Sequence, residues 1–124
     1  LDQHVNFRRA NHQFYNALFS KIDEVEVLTE PNSDFYSNHW LSAILLASYE
    51  QREALRLAFE AENIETRPLW KPMHLQPVFQ NAPYYGEKVS ESLFERGLCL
   101  PSGSNLTESD RVRISNVIAN FFTI

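Results

Sequence analysis

The sequence predicts an α+β fold: a small, mainly antiparallel sheet with helices packed on one face. Three observations carry this. Stretches with helical apolar spacing alternate with short apolar or two-periodic runs, in the order helix, strand, strand, helix, strand, loop, short helix, short strand, helix. A length of 124 residues suits one domain with a sizeable core. Four of the six prolines (Pro68, Pro72, Pro77 and Pro83) gather between the third strand and the third helix. Each removes an amide donor and fixes φ, which bars that stretch from a helix interior or a central strand.

Each element has its own warrant. From Asp2 to Ile22, the residues Phe7, Ala10, Phe14, Leu18 and Ile22 recur at helical spacing with no proline or glycine between them, so they are expected to face inward. Glu24 to Thr29 alternates as a half-buried strand does. Pro31 to Ser37 is rich in turn formers and reads as an exposed loop. His39 to Ala47 is mostly apolar and reads as a buried strand. Ser48 and Gln51 have the spacing of a capping box, opening a helix with Leu55 and Phe59 on its apolar stripe that ends near Glu62. Asn63 is expected to close that helix in the left-handed conformation. Ile64 to Leu69 returns as a strand. Val89 to Arg96 reads as a two-turn helix stopped by Gly97, and Leu98 to Leu100 as a strand ended by Pro101. Thr107, with Asp110 three residues on, caps the last helix, whose inward residues are expected to be Val112, Val117, Ile118 and Phe121.

Composition narrows the function. A net charge of −5 argues against a general nucleic-acid binder. No apolar run approaches the roughly 18 residues of a membrane span, and no signal peptide is visible. Cys99 stands alone, so no internal disulfide forms, which favours a cytoplasmic setting. The chain opens on Leu1 and enters helical sequence at once, as expected of a piece of something longer.

Few residues offer chemistry. His4 and His12 lie eight apart on the first helix with no third ligand, and read as solvated histidines rather than a metal site. Cys99, between two leucines, reads as a small core residue rather than a nucleophile. The pairs Glu60 with Glu62 and Glu91 with Glu95 read as solvated helix faces. Pro101 to Thr107 admits two readings: a loop whose amides cradle an anion, or simply the turn and cap of the last helix, which explains every residue in it. The stretch Thr66 to Phe79 stands out. It reads as a stiff, extended loop presenting Arg67, Trp70, Lys71 and His74, and such loops on a regular scaffold carry function. The competing reading is a structural crossover with Trp70 and Met73 buried.

Two motifs carry a resemblance. Arg67-Pro-Leu-Trp-Lys-Pro-Met-His-Leu-Gln-Pro-Val-Phe and Leu93-Phe-Glu-Arg-Gly-Leu-Cys-Leu-Pro-Ser-Gly-Ser-Asn-Leu-Thr resemble the C-terminal part of the DegT/DnrJ/EryC1/StrS family of pyridoxal-phosphate-dependent sugar aminotransferases; Ser37-Asn-His-Trp looks like its strand opening the small domain. The resemblance covers nearly the whole chain. It implies that residues 1–124 form the small C-terminal domain of the aspartate aminotransferase fold type. The Trp-Lys-Pro-Met-His version is similar to enzymes that aminate a UDP-linked 4-keto-6-deoxy-N-acetylhexosamine for cell-surface polysaccharide or glycan synthesis, with an amino-acid donor and a homodimeric parent. It implies that Arg67, Trp70, Lys71 and His74 bind substrate. The family's Schiff-base lysine and most phosphate contacts belong to a large domain absent from these residues. None of Lys21, Lys71 and Lys88 sits in the Schiff-base motif, so no catalytic residue and no bound pyridoxal phosphate are expected here. A related dehydratase, in which histidine replaces that lysine, and a stand-alone binding module both stay open.

Overall fold

The computed structural model describes residues 1–123 and contains the elements in the expected order: α1 (Asp2–Phe19), β1 (Glu26–Val27), β2 (Ser42–Leu45), α2 (Tyr49–Ala61), β3 (Arg67–Pro68), α3 (Val89–Arg96), β4 (Gly97–Leu100) and α4 (Glu108–Phe122). The sheet runs β1-β2-β4-β3, with every neighbouring pair antiparallel. On the central pair Ser42 faces Leu100 and Ile44 faces Leu98. Alternation turns these four to one side, where Tyr15 and Phe19 of α1, Leu55 and Phe59 of α2, and Ile114, Val117 and Ile118 of α4 close the core.

The helix ends are built as their residues require. Ser48 accepts the Gln51 amide, while the Gln51 side chain reaches one residue further back, to the amide of Ala47. Asn63 has φ of 56°; its amide bonds to Glu60 and that of Ile64 to Phe59, which completes a Schellman closure. Thr107 and Asp110 form a full capping box.

Several boundaries differ from expectation. The third strand is short because Ile64 belongs to the closure of α2, and pairing with β4 spans only Arg67 and Pro68. The second strand begins at Ser42 rather than His39. Ser37 and Asn38 bond the amides of His39 and Trp40 locally, and His39 adopts a φ of 45° that no strand tolerates. Gly97 is not a left-handed stop; its φ of −86° and ψ of 137° already belong to β4. Its need for glycine is spatial, since a Cβ there would lie 2.4 Å from the Leu93 carbonyl oxygen and 2.2 Å from a Leu69 methyl.

The first helix is rotated from its expected face. Asn11, His12, Tyr15 and Phe19 are buried, while Phe7 is exposed. Polar partners explain this. Asn11 donates to the Gly103 carbonyl and accepts from Arg111, Tyr15 donates to the Pro101 carbonyl, and Arg8 donates to the carbonyls of Trp40 and Ser102. In α4, Ile114 takes the inward place expected of Val112, which is exposed.

Candidate functional site

The stretch from Arg67 to Phe79 is extended only in its first half. Pro68 sits in an edge strand, where its missing amide proton is harmless, and Pro72 is buried as an anchor with φ of −55° and ψ of 145°. Beyond it the chain tightens into two single 3₁₀ turns, Met73–Leu75 and Pro77–Phe79, the second started by its own proline.

Of the two readings of this loop, burial of Trp70 and Met73 is excluded, as they are 65% and 60% exposed. Trp70 lies beside Trp40, itself exposed, with ring centroids 6.0 Å apart and planes inclined at 38°. Arg67 chelates Glu65 through Nε and Nη2, at 2.7 and 2.6 Å. Both side chains are largely exposed, so the pair is worth at most about 1 kcal/mol and exchanges readily for a better anion. Lys71 is exposed and, among the described residues, has no carboxylate partner.

His74 is drawn back. Its Nε2 lies 2.8 Å from the Glu91 carboxylate and its ring lies tilted by 30° against Tyr84, centroids 3.9 Å apart, inside a cleft of about 520 Å³ that Pro72, Phe79, Tyr85 and Ser90 also line. Glu91 is therefore no solvated helix residue. It stands in the first turn of α3, facing the loop. The structure thus separates His74, drawn into its cleft, from Arg67, Trp70 and Lys71, which are each exposed. Sequence reasoning missed Trp40, taken as strand interior, together with Glu91 and Tyr84. The turn formers Ser37 and Asn38, read two residues further, were the available signal for Trp40.

The remaining candidates resolve plainly. Among the described residues no three His, Cys, Asp or Glu side chains gather as a metal site. His4 is exposed and bonds Ser104, but His12 is buried at 3% exposure, stacked on His39 rather than solvated. Cys99 is buried in β4, and burial pushes its thiol pKa up, against nucleophile chemistry. The loop from Pro101 to Thr107 gives the carbonyls of Pro101, Ser102 and Gly103 to α1; Ser102 bonds the Ser42 amide and the Leu100 carbonyl, Ser104 bonds His4, and Thr107 caps α4, so structural bonds occupy these groups. No described helix is long and apolar enough to cross a membrane.

Known proteins resemble this chain in sequence and fold. The chain is 38% identical over 126 residues to the "Putative pyridoxal phosphate-dependent aminotransferase EpsN" of Bacillus subtilis, covering 98% of this chain and 32% of that protein. It is 30% identical to the GDP-perosamine synthase of Vibrio cholerae, covering 98% and 34%. The chain thus spans about a third of the length of the curated relatives it matches. A DegT/DnrJ/EryC1/StrS aminotransferase from Brucella abortus superposes with a TM-score of 0.80 at 31% identity, over 97% of this chain and 31% of that one. The family model matches residues 1–119, and with these likenesses it establishes that the chain belongs to the DegT/DnrJ/EryC1/StrS aminotransferase family.

Proposed function

We propose that this chain is the C-terminal domain of a pyridoxal-phosphate-dependent nucleotide-sugar aminotransferase, and that Arg67 to His74 meet the sugar nucleotide. The observation that carries the reading is the exposed Trp70–Trp40 pair, with Trp70 on a proline-held segment that also exposes Arg67 and Lys71. A nucleotide sugar offers two phosphates, a flat base and a polar ring. Arg67 and Lys71 are suited to phosphate oxygens through charge-assisted hydrogen bonds. The indoles offer faces for a base or sugar to pack on, and the stiff loop loses little entropy when a ligand holds it. His74, oriented by Glu91, presents its other ring nitrogen to a hydroxyl or ketone.

Bound pyridoxal phosphate supplies an electron sink for the amino transfer. The lysines of this chain do not fit it: Lys21, Lys71 and Lys88 are all exposed to solvent. We assign the cofactor to the remainder of the protein and no catalytic residue to this chain.

The substrate we favour is a UDP-linked 4-keto-6-deoxy-N-acetylhexosamine, aminated from an amino acid for surface polysaccharide or glycan synthesis by a cytoplasmic homodimer. The relatives named GDP-perosamine synthase make a GDP-linked sugar the competing substrate. The test uses the full-length protein with both substrates. Trp70→Ala and Lys71→Ala are expected to lower kcat/KM at least about tenfold, or about 1.4 kcal/mol, with little loss of Tm. Full activity per folded molecule in both variants, with lowered stability, would make the loop a strut. A product that loses water without gaining nitrogen would assign a dehydratase, and binding without turnover a binding module.

A further inference from the structure

The buried polar cluster under Trp40 has no part in the function proposed above. His12 of α1 and His39 stack face to face, with centroids 3.6 Å apart and planes only 8° from parallel. Both are more than nine-tenths buried. His39 Nε2 lies 3.2 Å from the Glu30 carboxylate, whose other oxygen accepts from Arg9 and from the Ser37 amide. Arg9 in turn donates to the Ser37 carbonyl and lies over the Tyr36 ring. Neither ring nitrogen of His12 has a hydrogen-bond partner. The cluster braces residues 37–41, where His39 holds its left-handed φ and the next residue, Trp40, meets Trp70.

We propose that the His12–His39 stack is an acid-sensitive latch on this turn: protonation of His12 opens it and separates Trp40 from Trp70. The charged and titratable groups facing the stack are Arg9 on α1 and Glu30 beyond β1, with Arg8 holding the Trp40 carbonyl nearby. Glu30 beside His39 offsets part of the cost of a first proton there. A second, on His12, would lie 3.6 Å from a charged ring and close to Arg9, with no acceptor. The closed turn therefore holds fewer protons than the open turn, and acid favours opening. Burial first, and His39 next, lower the pKa of His12, while burial lowers that of His39 against the opposing pull of Glu30. The latch is closed above the ordinary histidine value of about 6.5 and opens as pH falls through the lowered value. Nothing in this depends on which ligand the loop binds.

The chain carries its own reporter, because Trp40 and Trp70 are its two tryptophans. Near-ultraviolet circular dichroism of the chain, followed from about pH 8 to about pH 5, should lose most of the tryptophan-pair signal with a midpoint below about 6.5 while far-ultraviolet ellipticity holds. His12→Phe keeps the stack, forfeits no hydrogen bond, and should flatten that titration. His74→Gln, which alters the histidine on the Trp70 loop, should leave it in place. Histidine ring titration by NMR on the unmutated chain covers the case where His12→Phe does not fold: the His12 ring should protonate with the tryptophan change. A flat signal in the unmutated chain, a His12→Phe titration like its own, loss of the titration in His74→Gln alone, or His12 protonation with the tryptophans unmoved would each overturn the latch.

Discussion

Replacing Gly97 by Ala tests how tightly the sheet holds the loop. The new methyl would sit 2.2 and 2.6 Å from Leu69 side-chain carbons and 2.4 Å from the Leu93 carbonyl oxygen, all far inside van der Waals contact. Leu69 can rotate aside. The Leu93 oxygen cannot, because it accepts the Gly97 amide at the end of α3. Overpacking of this kind costs about 1–3 kcal/mol, and contact with a backbone atom argues for at least about 2. Unfolding entropy of about 2.1 cal/mol/K per residue gives about 0.26 kcal/mol/K for 124 residues, so the expected fall in Tm is about 8 °C. Thermal denaturation by circular dichroism measures it. Leu69 precedes Trp70, so the same variant should also disturb the near-ultraviolet signal of the tryptophan pair at temperatures where it is folded. A Tm within about 2 °C of the parent would refute the claim that glycine is needed here for space.

Two further outcomes are expected. Thr107→Ala should cost about 1 kcal/mol, read as a lower denaturant midpoint at unchanged slope. The Thr107 amide and hydroxyl hold the Asp110 carboxyl below its ordinary pKa, so its contribution is complete above about pH 4 and fades as pH falls through the lowered value; Thr107→Ala keeps the amide and loses the hydroxyl, so the contribution should shrink without vanishing from its acid unfolding curve. Cys99 should react with a thiol reagent at least about tenfold more slowly in the folded chain than in denaturant, because burial both shields the thiol and raises its pKa; equal rates would place it at the surface.

The sequence was a good guide wherever the cause of structure is local. Ser48, Asn63 and the Thr107–Asp110 box were legible because a cap is decided by residues three or four apart. The order of elements and the antiparallel α+β sheet followed from apolar periodicity. Periodicity failed where the core is polar. Asn11 is buried because its partners, Gly103 and Arg111, lie 92 and 100 residues away, and no apolar count along α1 registers them. His12 was hidden likewise, since its cover is another histidine from a segment read as strand. At the candidate site, prolines and aromatics marked the loop itself, but Glu91 and Tyr84 reach His74 only through folding.

The seams between α1 and the turn before α4 also bear on how the chain is made. Arg8, Asn11 and Tyr15 meet carbonyls between 86 and 94 residues further along. A ribosome adding about 5–20 residues per second takes roughly 4–19 s to deliver those carbonyls after α1 has been polymerised. Throughout that interval α1 must keep its polar core residues in water, and its apolar neighbours Phe14 and Phe19 lack their final cover. Nascent chains are thus most exposed to mispairing and to chaperone capture before Pro101 to Gly103 emerge, and a substitution such as Asn11→Leu would act first on the yield of folded protein, by making the waiting helix stickier.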